Sequence, residues 1–229
     1  LPPLKILIAD DVPQNLELLT LTLSGRGHQV VAARDGGEAV AKFISDHFDL
    51  ILMDVHMPGT DGLQATRLIR QYERTHARPY TPIIALTASV LAEDRQTAQL
   101  AGMDGFAVKP LDVPRLFDEI AGVLKIERAP ALPDDTDKTL APHQLIDWDS
   151  GISLWGSEKR LAKALKQFLE SAATNHPLPG DADVDIDWET TLLSLHGIHG
   201  ASGNLSLPSV AELACTLEDL VRTGRQEEA

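Results

Sequence analysis

Four polar stretches in the first half of this chain each stand directly after a short apolar run, and they hold the residues able to do chemistry together. Asp10-Asp11 follows Lys5-Ile6-Leu7-Ile8-Ala9. Asp54 follows Asp49-Leu50-Ile51-Leu52-Met53 and precedes the turn signal Pro58-Gly59. Thr87 ends an apolar run from Pro82 and is followed by the small residues Ala88 and Ser89. Lys109-Pro110 follows Gly105–Val108. Singly, each has a plain structural explanation: Asp-Asp caps a helix, Asp-x-x-Met-Pro is a turn, and Lys-Pro is nothing in particular. Together they place three carboxylates, a hydroxyl and an ammonium at the carboxyl ends of four strands, where open α/β sheets carry their sites. Carboxylates packed together repel and raise one another's pKa. A hard divalent cation relieves that repulsion, and oxygen ligands completed by water suit Mg²⁺. The Thr87 hydroxyl and the Lys109 ammonium are donors of the kind a phosphoryl group needs on its outer oxygens. Ala88 and Ser89 leave room for such a group.

The elements that must position these residues alternate over 4–126. Strands are expected at Lys5–Ala9, His28–Ala33, Asp49–Met53, Pro82–Thr87 and Gly105–Val108. Helices are expected at Val12–Arg26 with Pro13 in its first turn, Gly37–Asp46, Asp61–Arg74, Val90–Ala101 and Val113–Leu124. In the third helix Leu63, Ala65, Leu68 and Ile69 are apolar, with Arg67, Arg70 and Arg74 on the wet side. Five repetitions of strand and helix imply a doubly wound, five-stranded parallel sheet with helices on both faces.

Residues 127–144 have no apolar period, are rich in Pro and Asp over much of their length, and read as a linker between a domain over 1–126 and a second domain over 145–229. The second part shows no strand signal. Ser157 caps a helix running to about His176, with Leu161, Ala164, Leu165, Phe168 and Leu169 on one face. Pro177–Asp185 is an acidic loop. Asp187 caps a helix from Trp188 to Leu205, and Pro208 opens a third, stopped by Gly224. Three long helices with short connections imply an up-and-down all-α bundle, expected to lack its last helix.

The middle helix holds the other candidate. At about 100° per residue, Leu195, Ile198, Ser202 and Leu205 share a core face, and His196 is expected to point nearly opposite, to solvent. Gly197, Gly200 and Gly203 recur every three residues, each costing roughly 1 kcal/mol against Ala in a helix interior. Two explanations stand on spacing alone. Either His196 is an ordinary surface histidine and the glycines mark close helix packing, or Gly200 leaves the imidazole over bare backbone, open to another protein. Leu192 and Leu193, nearby on the helix, suit a docking rim or the core equally.

Bulk properties bound the function. A hydrophobic content of 43% suits a globular chain, and no apolar run of about eighteen residues offers a membrane span. The chain begins at Leu1 without a signal pattern and reads as a fragment of a longer protein. The net charge of −14 is uneven: residues 1–126 carry 16 acidic and 12 basic side chains, residues 127–229 carry 18 and 8. Such a chain repels phosphate backbones, which excludes nucleic acid as an expected partner. The lone cysteine, Cys215, rules out an internal disulfide and reads as a small core residue.

Residues 4–126 resemble the receiver domains of two-component response regulators, a flavodoxin-like fold. The resemblance rests on Asp10-Asp11, Asp54-Val55-His56-Met57-Pro58-Gly59-Thr60-Asp61-Gly62, Ala85-Leu86-Thr87-Ala88, Ala101-Gly102-Met103-Asp104-Gly105-Phe106 and Lys109-Pro110. It implies that Asp54 accepts a phosphoryl group. Asp11, Asp54 and the His56 backbone carbonyl would ligate Mg²⁺, with Asp10 acting through water. Lys109 would hold phosphoryl oxygens, Lys109–Pro110 would be cis, and Thr87 and Phe106 would form a switch pair. The His56 side chain would gate the pocket. Residues 145–224 resemble the histidine phosphotransfer (HPt) family, through His196, an apolar residue two later, Gly200, small residues, and Leu205. That resemblance implies phosphorylation of His196 rather than His199. It departs from the family at His199, where lysine is usual, and at Ser206, where glycine is usual.

The two resemblances together imply the phosphorelay tail of a hybrid sensor histidine kinase. An upstream kinase domain would donate to Asp54, Asp54 would exchange with His196, and His196 would pass the group to a downstream response regulator. The stretch holds no ATP-binding kinase core. The expected compartment is the cytoplasm, with any membrane anchor in upstream segments. The alternative is a phosphorylation-switched binding module that sequesters a non-relay protein partner. A metal-dependent phosphatase is disfavoured, because His56 stands where that family needs a second acid.

Overall fold

The computed structural model describes residues 1–87, 92–126, 145–176 and 187–223. The expectations for Ala88 and Ser89, for the linker, for the Pro177–Asp185 loop and for the stop at Gly224 lie outside the described residues. The chain divides into two compact units, Leu1–Asp134 and Asp135–Ala229.

The first unit is a five-stranded parallel sheet in the order β2-β1-β3-β4-β5. Its strands are β1 (Lys5–Ala9), β2 (Gln29–Ala33), β3 (Leu50–Asp54), β4 (Ile83–Thr87) and β5 (Gly105–Val108). They alternate with α1 (Pro13–Ser24), α2 (Gly36–Ser45), α3 (Gly62–Thr75), α4 (Ala92–Ala101) and α5 (Val113–Val123). β3 and β4 are buried along their whole length, as continuous apolar runs must be when helices cover both faces of a sheet. Asp35, Asp61 and Asp112 cap α2, α3 and α5 by accepting from the third residue on, each cap contributing about 1 kcal/mol.

Register brings the polar residues together. Ala9 pairs with Met53, so Asp10 emerges beside Asp54. Thr87 pairs with Val108, so Lys109 emerges just beyond it. The sheet order reverses direction between β1 and β3, which is where such folds open a crevice. Gly62 opens α3 so close to the Asp54 carbonyl oxygen that a Cβ there would collide with it. The loop leaving β3 therefore folds tightly back under the site.

Arg70 corrects the helix-wheel reading of α3. Arg67 and Arg74 are exposed, but Arg70 is 6% exposed. Its guanidinium reaches Glu73 (2.8 Å), Asp104 (2.9 Å) and the carbonyls of Thr81 (2.8 Å) and Gly102 (3.0 Å). A planar group with five donors is stable in a buried place that supplies this many acceptors, and here it ties α3 to the chain before β4 and β5.

The second unit is helical: α6 (Trp148–Trp155), α7 (Glu158–Asn175), α8 (Trp188–Asn204) and α9 (Pro208–Arg222). Ser157 and Asp187 cap α7 and α8, and Pro208 stands in the first turn of α9. The short α6 is an element the sequence reading lacks. Asp147 caps it, and Gly156 ends it with φ 74°. It is held by Trp155, buried with its Nε1–H donating to the Asn204 carbonyl at 2.9 Å. Leu161, Ala164, Leu165 and Phe168 are buried, as the periodicity of α7 requires, but Leu169 is 73% exposed. Cys215 is half-buried and free. No helix among the described residues is long and apolar enough to cross a membrane.

Candidate functional site

The first unit gathers Asp10, Asp11, Asp54, Thr87 and Lys109 at the carboxyl ends of its strands. Lys109 Nζ lies 2.6 Å from Asp54 Oδ2 and 2.9 Å from Asp10 Oδ2, and all three residues are buried. Asp10 also accepts from the Val12 backbone N–H at 2.9 Å and from the Asn15 amide at 3.0 and 3.1 Å. The His56 N–H donates to Asp54 Oδ1 at 3.2 Å. His56 itself is half-buried. The Lys109 N–H donates to the Thr87 carbonyl at 2.8 Å, which holds the lysine beside the threonine. The Lys109–Pro110 peptide is cis, as the receiver resemblance implies. Phe106 is half-buried against the central apolar cluster, with the Arg95 guanidinium 5.4 Å from its ring centroid.

The charges in this pocket do not balance. Burial, reinforced by the neighbouring Asp54 and Asp10 charges, pushes the Asp11 carboxyl up to about 7, against the pull of Lys109. Burial raises Asp10 as well, with Lys109 opposing. For Lys109, burial works against the charge, but Asp10 and Asp54 outweigh it and hold the ammonium above its usual range. One ammonium faces three carboxylates whose oxygens all lie within 4.8 Å of one another. That donor set, made of hard oxygens with excess negative charge, fits a Mg²⁺ ion.

In the second unit the expectation for His196 is corrected. The ring is not on a wet face: His196 is 4% exposed, and its Nδ1 lies 3.1 Å from Oε1 of Glu218 on α9. α8 has no single wet face: it is buried or half-buried at every position from Thr191 to Leu205. α9 covers the side on which His196 stands. Leu192 and Leu193 are half-buried, and Gly200 is buried. Gly197 has a packing reason, since a Cβ there would run into the ring of His176 at the end of α7.

Glu218 is the centre of this cluster. Oε1 also accepts from Arg222 Nη2 at 2.7 Å, and Oε2 lies 3.7 Å from His199 Nδ1. Burial pushes its carboxyl up, but His196, His199 and Arg222 together overcome that and hold it far below the usual range. It stays a carboxylate at any ordinary pH. A ring nitrogen held against a buried carboxylate is oriented, and its other nitrogen is directed away as a nucleophile.

Two residues of these sites escaped the sequence reading. Asn15 stands among Leu16, Leu18 and Leu19 in the buried first turns of α1, an amide in a place that suits an apolar side chain. Glu218 shares a buried stripe with Ala214 and Val221, at spacings of four and three. A polar side chain on an apolar stripe is the signal that could have found each of them.

Comparison with known proteins bears on both units. Residues 6–121 match the response regulator receiver domain family, and residues 159–229 match the Hpt domain family. Sensor protein GacS of Pseudomonas syringae pv. syringae is 30% identical over 230 residues, covering 96% of this chain and 25% of the relative. The signal transduction histidine-protein kinase BarA of Escherichia coli K12 is 27% identical, covering 98% and 25%. Among solved structures, the receiver domain of sensor histidine kinase PA1611 of Pseudomonas aeruginosa PAO1 is 34% identical. It covers 54% of this chain and 98% of that one, with a TM-score of 0.49. The chain thus spans about a quarter of the length of the curated relatives it matches. These matches do not favour the alternative of a binding module that sequesters a partner protein. The chain belongs to the response regulator receiver family and carries an Hpt domain behind the receiver, the pairing that makes up the phosphorelay portion of hybrid sensor histidine kinases.

Proposed function

We propose that this stretch relays a phosphoryl group within a longer sensor kinase. A receiver domain spans 1–126, a linker 127–144, and an Hpt-like bundle 145–229. Asp54 accepts the group from a phosphohistidine of an upstream kinase domain and exchanges it with His196, which hands it to the receiver of a separate response regulator. The observation that carries this reading is Lys109 held between buried Asp54 and Asp10, with a third carboxylate close by.

The residues divide the work. Asp10, Asp11, Asp54 and the His56 backbone carbonyl would hold Mg²⁺, which when bound supplies positive charge against the phosphoryl oxygens. Lys109 holds an outer phosphoryl oxygen and takes back the Asp54 carboxylate when the group leaves. Thr87 donates its hydroxyl to the phosphoryl group, and Phe106 follows that movement. The His56 side chain gates access. In the transfer step the His196 Nε2 lone pair forms the N–P bond as the Asp54 O–P bond breaks, and the released electron pair returns to the carboxylate. Glu218 keeps the Nδ1 proton on the ring and stabilises the cation that forms. Asp54 is 1% exposed and His196 4%, so docking must uncover each of them.

The test charges the chain with acetyl phosphate and Mg²⁺ and separates alkali-labile acyl phosphate from acid-labile phosphohistidine. Asp54→Asn should abolish both labels. His196→Gln should leave Asp54 labelled and stop transfer to an added receiver. Chelating Mg²⁺ should abolish Asp54 labelling. Onward transfer from the His196→Gln chain sinks the assignment.

A further inference from the structure

Asn15 is fully buried in the first turns of α1, and its side-chain nitrogen reaches both oxygens of Asp10, Oδ1 at 3.0 Å and Oδ2 at 3.1 Å. Two nearly equal distances put that donor close to the line that bisects the carboxylate. Other donors lie to either side of it: the Val12 N–H on Oδ1 at 2.9 Å and Lys109 Nζ on Oδ2 at 2.9 Å. Asp10 is nevertheless near enough to Asp11 and Asp54 to share an ion, with an oxygen of each within 4.8 Å of the others. We infer that Asn15 is a specificity-determining residue for the metal: it fills the bidentate position on Asp10, and so favours a small cation that keeps its waters, such as Mg²⁺, over a larger one such as Ca²⁺. This rests on the reading that the receiver pocket takes a divalent cation.

The two ions ask different things of a carboxylate. Ca²⁺ takes about six to eight oxygens in flexible geometry and often binds a carboxylate through both of its oxygens. Mg²⁺ demands near-ideal octahedral geometry, dehydrates reluctantly and is held by about one or two carboxylates. A cation gripped by both Asp10 oxygens would have to stand where the Asn15 nitrogen stands. An ionised carboxylate has about four lone-pair sites, and the contacts from Val12, Asn15 and Lys109 use them. Asp10 then contributes its negative charge without a direct bond to the ion. Asp11 and Asp54 are left to bind it, and water completes the shell, a coordination that suits Mg²⁺ better than Ca²⁺. Packing does not explain the amide. Leucine would fill the same space beside Leu16, Leu18 and Leu19, and a fully buried amide is kept only where its hydrogen bonds are made.

The test is calorimetric titration of the full unphosphorylated chain with Mg²⁺ and, separately, with Ca²⁺. The difference from an Asp54→Asn chain reports the receiver pocket and removes ions bound elsewhere on so acidic a protein. The readout is the ratio of the two affinities, which a merely structural loss would leave alone because it weakens both ions together. Asn15→Leu frees the Asp10 oxygens and should shift the ratio toward Ca²⁺ by about tenfold, the size of coupling between neighbours in one network. Asn15→Ser, whose shorter hydroxyl cannot reach both oxygens, should fall between the two and serves where the leucine chain folds poorly. In an Asp10→Asn background Asn15→Leu should leave the ratio unmoved. A ratio that Asn15→Leu does not change, or a change that persists without the Asp10 carboxylate, would overturn the inference. If the unaltered chain binds no more Mg²⁺ than Asp54→Asn does, the metal reading itself fails and this inference goes with it.

Discussion

The two candidate sites are electrical opposites. In the receiver one cation, Lys109, sits among three carboxylates. In the helical unit one anion, Glu218, sits among two imidazoles and a guanidinium. The first arrangement has negative charge to spare and would suit a hard divalent cation. The second has more donors than acceptors around its single carboxylate. They also differ in how they are built. Strand register places the receiver cluster, so its members lie far apart in sequence and meet at the carboxyl ends of the strands. The other cluster depends on which side of α8 a neighbouring helix covers.

The sharpest way to break this comparison is to remove the lone charge from the receiver cluster. Lys109→Met leaves the Asp54 and Asp10 carboxylates buried without their cation, and losing one partner of a buried pair costs about 3–5 kcal/mol. In metal-free buffer the urea midpoint of the receiver should fall accordingly, and Mg²⁺ should recover part of the loss. A midpoint that stays put would mean that Lys109 does not carry the balance in this pocket.

pH sharpens the contrast, because the two clusters should respond with opposite sign. The folded Asp11 carboxyl, raised to about 7, keeps a proton that the unfolded chain gives up. Without metal, receiver stability should therefore fall as pH rises from about 4 to 7, and raised Asp10 adds in the same direction. The folded Glu218 carboxyl is held below its usual range. Its contribution is present above about pH 4.3 and is lost as pH falls further. Hydrogen exchange on the metal-free chain, corrected for intrinsic rates, reads both units at once. Amides of β3 and β4 should lose protection toward neutral pH, and amides of α8 and α9 toward acid. Slopes of the same sign would erase the distinction.

What could be read beforehand follows the same division. An apolar run that ends in a charged residue names both the strand and the strand end. Parallel topology then leaves little freedom in where Asp10, Asp54, Thr87 and Lys109 go, and all four meet where they were expected. Helix faces carry less information. Angle alone puts Arg70 and His196 toward solvent, and both are buried because other parts of the chain bring acceptors to them. Of their partners, Thr81 and Asp104 lie in the chain just before β4 and β5 and Glu218 on α9, at separations that no periodicity reports. The short α6 has too little period to see in eight residues, and what holds it, Trp155 on the Asn204 carbonyl and the Asp147 N–H on the Ser206 carbonyl, lies some fifty residues away.

The smallest expected effect bears on the glycines of α8. Alanine is favoured over glycine in a helix interior by about 1 kcal/mol, so Gly197→Ala should stabilise the bundle if nothing opposes it. The ring of His176 opposes it. That ring is buried at the end of α7, with its pKa lowered by burial, and it lies against the place a Cβ would take. Overpacking of this kind costs about 1–3 kcal/mol, so Gly197→Ala should lower stability by about 1 kcal/mol once the gain in helix propensity is set against it. The same change made in a His176→Ala chain meets no ring and should stabilise by about 1 kcal/mol. That reversal would place Gly197 with the packing of α7 on α8. A loss in both backgrounds would return it to the presentation of His196, the neighbouring residue whose ring α9 now covers.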